Sequence, residues 1–371
     1  MNDERLRVGS AMWRLGAGLI LAAGLVVTSG YAPAAPNGGA RPAGAQGAGT
    51  AAGYHVVVTY VIGGEGGWDY LTVDSEARRV YISRGTHVMV MDPDTGKVLG
   101  DIPGTDGVHG IALAPELNRG FISDGRSSEV TIFDLKTLKT LDTVKVTGQN
   151  PDCIAYDPAS KRVFTFNGRS GNSTAIDAAT GKVVGTIDLG GRPEFAVADG
   201  RGHIYNNLED KSEQVAIDTQ TLKVTHRWPL APCESPSGLA IDREHRRLFA
   251  GCDNQKMAIT DPDAGKVVTT VPIGEGVDAN GFDPGSQLAF SSNGESGTLT
   301  VVHEDAPDQY TVLGNVPTAL RARTMALDLK THHVFVVTAR FLPQPAEATP
   351  ENPRRRPPMV PGSFRVIEVA P

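Results

Sequence analysis

An aromatic residue returns every 40 to 45 positions through most of this chain, a period that only an internally repeated architecture accommodates. The positions are Tyr81, Phe121, Phe164, Tyr205, Phe249, Phe290 and Phe335, with gaps of 40, 43, 41, 44, 41 and 45 residues. Each aromatic sits in a unit of one pattern. A short apolar strand ends near Asp, a β-turn follows, then the strand with the aromatic, a polar loop, and a strand ending in an acid. That acid recurs at Asp92, Asp134, Asp177, Asp218, Asp261, Glu304 and Glu368. In several units a turn such as Asp92–Lys97 then leads into a final strand. Four short strands are the content of one propeller blade, so the repeat predicts an all-β, seven-bladed β-propeller. The aromatics should lie between blades, each contributing about 4–6 kcal/mol gross at roughly 25 cal/mol per Å².

Ring closure is also readable. The seventh unit, from Arg321, runs out at Val369 after its third strand. Residues 55–62 match the fourth strands at 97–102, 182–189 and 266–273, so they should complete blade seven. The Asp92–Lys97 turn superficially suggests a calcium loop. Its Gly comes one place early and Pro103 stands where a bidentate Glu belongs, so it reads as an Asx-capped hairpin.

Residues 164–199, FTFNGRSGNSTAIDAATGKVVGTIDLGGRPEFAVAD, resemble the YVTN-type repeat of bacterial YncE-like β-propeller proteins, and the resemblance extends over roughly 55–371. It implies an exported propeller without generally assigned catalytic residues, so it carries no site across. The chain departs from the family's Asn-Gly-x-Asn second loop in most blades and from a regular seventh blade.

The N-terminus reads as a secretory signal over 1–34. Arg5, Arg7 and Arg14 precede an apolar run of about 13 residues, and Ala32-Pro33-Ala34 offers cleavage after Ala34. An uncleaved anchor is the other reading, although the run is short for a bilayer. Residues 35–53 form an Ala/Gly/Pro-rich linker, leaving 54–371 as the propeller. Residues 1–34 hold three of the 35 basic and two of the 42 acidic residues, so the remainder carries a formal charge of −8. No nucleic-acid partner is expected from that balance. The expected protein is a periplasmic or secreted monomer with no membrane span after cleavage.

Aligning the loops that enter the innermost strands puts Asp69, His109, Asp152, Glu194, Ser237, Asp278 and Arg323 at one position around the channel mouth. Trp68 adjoins the first. The loops between second and third strands should add Arg84, Asp124, Asn167, Asn207, Asp253, Asn293 and Arg340. Carboxylates and a histidine converging there suit Ca²⁺ or Mg²⁺, with Asp69, Asp152, Glu194 and Asp278 as ligands, or a cationic or polyhydroxylated molecule. Solvation of a water-filled channel is the plain alternative. His332-His333 falls in a turn on the opposite face and reads as solvated.

Cys233 and Cys252 fall in two loops of blade five on one face, within reach of a disulfide in an oxidising compartment. Cys153 begins an inner strand and reads as a buried thiol. The insertion at about 341–362 carries seven prolines and the Arg354-Arg355-Arg356 run, and serves as a lid, a docking arm or a tolerated loop. No nucleophile elbow, Walker loop or His-Glu-x-x-His occurs. Composition and repeat therefore favour a binding scaffold, with a small molecule or protein at the channel face and no obligatory cofactor. A metal-dependent hydrolase, lactonase or lyase using His109 as general acid or base is the second reading, and a quinone-type redox enzyme the third.

Overall fold

A computed structural model describes residues 51–345, 347–348 and 357–371. The segment read as a signal and most of the linker lie outside the described residues, as does the Arg354–Arg356 run. The chain forms seven four-stranded antiparallel sheets, six of them running in sequence order from the innermost strand outward. Blades one to six occupy 71–103, 108–145, 151–188, 193–229, 236–272 and 277–317. Blade seven takes its three inner strands from Met325–Asp328, His333–Thr338 and Arg365–Ala370. Its outer strand is His55–Val61, antiparallel to Arg365–Ala370, so the N-terminal segment closes the ring.

The periodic aromatics are buried, as their spacing requires. Six are fully inaccessible and Tyr205 is nearly so. They pack across seams: Tyr81 on Phe133 of blade two at 5.8 Å, and Phe249 on Phe282 of blade six at 5.0 Å. A second periodic device accompanies them. The residue two before the aromatic is Arg in four blades, and each guanidinium donates to a turn carbonyl of the next blade. Arg79 reaches Leu135, Arg119 reaches Ala178 at 3.1 Å, Arg162 reaches Thr219 at 2.6 Å and Arg247 reaches Pro307 at 2.9 Å. Hydrogen bonds to a charged donor contribute about 1.5–3 kcal/mol each, so these clips reinforce the apolar seams.

The hairpin turns behave as Asx caps. Asp92 Oδ1 accepts from the N–H groups of Asp94 and Thr95, and Gly96 takes a φ of 69° that L side chains avoid. Asp134, Asp177, Asp218 and Asp261 cap their turns likewise. Glu304 and Glu368 do not. Their longer side chains turn into the protein and are buried.

Cys233 and Cys252 are joined in a disulfide with a Cα–Cα distance of 5.8 Å, bridging the entry loop of blade five to the end of its second strand. Closing this 19-residue separation is expected to contribute about 3 kcal/mol. Replacing both cysteines with Ala should lower the urea-unfolding free energy by that order, and an unchanged midpoint would remove the disulfide from the stability account. Cys153 is buried, and burial pushes its thiol up to about 12, which makes it inert near neutral pH.

Candidate functional site at the channel mouth

The seven aligned positions do form one ring, and the cause is a repeated backbone irregularity. In five blades the pairing of first and second strands skips register, between Val108 and Ile111, Pro151 and Ile154, Pro193 and Ala196, Pro236 and Leu239, and Val277 and Ala279. The ring residues His109, Asp152, Glu194, Ser237 and Asp278 all fall inside those bulges. A bulge frees a residue from the ladder and re-aims its side chain, here toward the channel. Asp69 and Arg323 take the equivalent places just ahead of their strands. All seven residues line one cavity of about 1210 Å³, with Trp68 in its wall.

One step further along each strand the residue is small in five blades (Gly110, Cys153, Gly238, Ala279 and Thr324) and aromatic in two. At Gly238 the neighbouring inner strand passes so close that a Cβ would meet the Ala279 backbone at 2.8 Å. The two aromatics, Tyr70 of blade one and Phe195 of blade four, stack with centroids 4.5 Å apart. Since their blades are separated by two others, the pair bridges the channel. The mouth is a cup with an aromatic floor.

Within the cup the polar residues separate into three groups. His109 Nδ1 lies 2.6 Å from Asp69 Oδ2 and 3.5 Å from Asp152 Oδ1. Arg323 pairs with Asp278 at 2.5 Å, reaches Asp69 at 3.5 Å, and the Ser237 hydroxyl donates to Asp278. Glu194 has Glu209 as a neighbouring carboxylate, and Glu209 pairs with Arg192. Of the expected metal ligands, only Asp69 and Asp152 converge, together with His109. Asp278 is engaged by Arg323 and Glu194 lies outside the convergent set, so the ring does not present four carboxylates to a single ion.

Titration follows from that crowding. Burial opposes the His109 charge, but the hydrogen bond to Asp69 and the charges of Asp152 and Asp69 outweigh it and raise the imidazole to about 9. Asp152 and Asp278 are raised, first by burial and then by neighbouring carboxylates, against the pull of His109 and Arg323. Glu194 is raised most strongly, by burial and by Glu209. A cation entering the cup would therefore compete with protons on these groups.

The expected second ring is different in the structure. Arg84, Asp124, Asn167, Asn207 and Asn293 are buried rather than at the rim. Arg84 donates to the Gly63, Glu65 and Gly66 carbonyls and lies 3.7 Å over the Phe364 ring. Asn207 donates to the Ser237 and Gly238 carbonyls, and so anchors a ring position. Only Asp253 of that set lines the cup, where Arg126, Glu209, Glu295 and Arg321 form the remaining charged rim. The described ends of the blade-seven insertion reach the same rim: Phe341 and Pro357 line the cavity, Phe341 pairs with Met359, and Trp68 packs on Phe341 at 5.9 Å. The histidine turn is not simply solvated, since His332 Nδ1 contacts Asp283 at 2.7 Å and His333 contacts Glu368.

Fold and cup together define a seven-bladed β-propeller with a floored, acid-lined channel mouth. No protein-family model matches the chain, and no curated protein sequence matches it. Solved propellers do. The chain is similar to the Kuenenia stuttgartiensis hydrazine synthase structure at 16% identity, with TM-score 0.62, over 73% of this chain and 92% of that one. It is also similar to the U3-55K structure at 11% identity, with TM-score 0.67, over 85% and 98% of the two chains, and to the RRP9 WD40 repeats at 10% identity, with TM-score 0.68, over 85% and 97%. Likeness at these identities concerns the fold alone.

Proposed function

We propose that this chain is an exported, YncE-like binding scaffold that captures a small organic cation in the channel-mouth cup. The observation that carries the reading is the stacked Tyr70–Phe195 floor beneath a ring whose carboxylates outnumber its cations. Asp69, Asp152, Glu194 and Asp278 face only His109 and Arg323, and the rim adds Glu209, Asp253 and Glu295 against Arg126 and Arg321. Aromatic faces under carboxylate walls favour an ammonium group, by cation–π attraction of about 0.5–2 kcal/mol in addition to charge pairing. A disulfide in blade five and the basic-then-apolar N-terminus support an oxidising, extracytoplasmic compartment. A Ca²⁺ or Mg²⁺ ion is a weaker fit, because the convergent set is two carboxylates and an imidazole rather than an oxygen cage.

Calorimetric titration with spermidine, tetramethylammonium, a neutral hexose and CaCl₂ tests this. Binding of an ammonium probe that weakens at least tenfold, about 1.4 kcal/mol, in Asp69→Asn supports the reading. Preference for the hexose or Ca²⁺, or binding unchanged by the substitution, overturns it. N-terminal sequencing of protein recovered from a Gram-negative periplasm tests export.

A further inference from the structure

On the face opposite the cup, the first strand of most blades ends in an acid that caps its own turn, and in three seams the next blade supplies it with a basic side chain. Arg78 of blade one pairs with Asp328 of blade seven. His332 of blade seven contacts Asp283 of blade six at 2.7 Å, and Arg246 of blade five lies 3.6 Å from Asp199 of blade four. All three side chains stand at the same turn position, in the left-handed conformation, with φ of 52°, 65° and 57°. Blade six has Gln287 there, at φ 56°, and so sends no charge toward Asp242 of blade five.

A second carboxylate enters that seam instead. Glu304 of blade six, where five other blades carry a turn-capping Asp, is 1% exposed, and Asp242 is 2% exposed. Asp242 already accepts from the Glu244 and His245 N–H groups, and Glu304 Oε1 from the Tyr310 hydroxyl. Two buried atoms remain without a hydrogen bond, Glu304 Oε2 and His245 Nδ1. The imidazole nitrogen lies 2.8 Å from Asp242 Oδ2, but at an angle that makes no hydrogen bond. One donor atom from each of Asp242, His245 and Glu304 lies within 4.8 Å of the others. Two facing carboxylates sealed in a seam are costly unless a cation joins them.

We propose that Asp242, His245 and Glu304 bind a divalent transition-metal ion of the Zn²⁺ class, which joins blade five to blade six in the place that an Arg or His fills in other seams. One imidazole and two carboxylates suit Zn²⁺ better than Ca²⁺ or Mg²⁺, and three protein ligands leave a fourth position for water. His245 is part-exposed and provides the entry path. The site is independent of the cup, which opens on the other face.

The test is ZnCl₂ titration of chelator-treated full-length chain, read by calorimetry and thermal melting. The expected result is a site whose filling raises the melting temperature, and whose affinity falls at least tenfold in Glu304→Gln. Gln287→Arg supplies the missing seam cation covalently, and should melt higher than wild type without metal while losing the Zn²⁺ response. His109→Ala should leave this response in place. Absence of stabilising Zn²⁺ uptake, uptake indifferent to both Glu304→Gln and Gln287→Arg, or uptake lost only in His109→Ala each overturns the proposal.

Discussion

A chain starting at residue 63 is expected to lose cooperative folding, whereas one starting at residue 51 keeps it. The missing segment contributes more than an edge strand. His55–Val61 completes the only blade drawn from both ends of the sequence, and its removal bares the outer edge of Arg365–Ala370. Ahead of it, Ala51 and Tyr54 are buried in the seam between blades six and seven, with Phe290, Val316, Val334 and Ile367. The Tyr54 ring meets Phe290 at 5.1 Å and its hydroxyl donates to the His332 carbonyl at 2.9 Å. After it, the Gly63 carbonyl accepts from buried Arg84, which ties the same segment to blade one. Losing the Tyr54 side chain alone should cost about 3–5 kcal/mol, and a domain of this kind has about 5–15 kcal/mol in total. Urea denaturation followed by circular dichroism checks both statements. A single sharp transition in the chain starting at 63, or a Tyr54→Ala variant within about 1 kcal/mol of wild type, would show that closure is dispensable.

The closing strand was legible in sequence because a propeller needs every blade complete, and the seventh unit visibly lacked its fourth strand. The seam aromatics were legible for the same reason: Tyr81 through Phe335 repeat because the burial they serve repeats. The channel ring was legible only as a set of positions. That Asp69 and Asp152 share His109, while Asp278 goes to Arg323, depends on side-chain directions that leave no residue signature. The Tyr70–Phe195 floor was missed because each is a lone exception at a position that is small elsewhere. The sequence points Arg84, Asp124 and Asn293 to the rim because polar residues at a strand end resemble loop. Register instead carries them inside, where each bonds a backbone carbonyl or a neighbouring hydroxyl. The inter-blade clips do carry a sequence signal, since Arg79, Arg119, Arg162 and Arg247 share the aromatic period. Read singly, each is an ordinary surface charge.

The second large effect is a stability difference between wild type and His109→Gln that closes on the alkaline side. Its imidazole rises from 6.5 to about 9 in the fold, since Asp69 and Asp152 favour the charged form more than burial and Arg323 oppose it. A raised folded-state pKa contributes stability that is complete below the unfolded value and is lost as pH rises through the folded one. The window therefore runs from 6.5 to about 9. At about 1.4 kcal/mol per unit, the contribution is on the order of 3 kcal/mol before solvent screening. In His109→Gln the cup keeps its carboxylates and loses their partner, so the variant should be less stable than wild type near pH 6 and converge on it near about pH 10. Parallel pH profiles of unfolding free energy would show that the Asp69–His109 contact does not titrate as its geometry requires. The same linkage acts on the ligand. An ammonium guest replaces the imidazolium as counter-charge, so its affinity should rise across this window with proton release. Asp278, raised to about 7 by burial and neighbouring carboxylates, adds to that release at the lower end of the window. A neutral guest would show neither the rise nor the released protons, so the pH profile of binding separates a cation site from a polar cavity that only holds water.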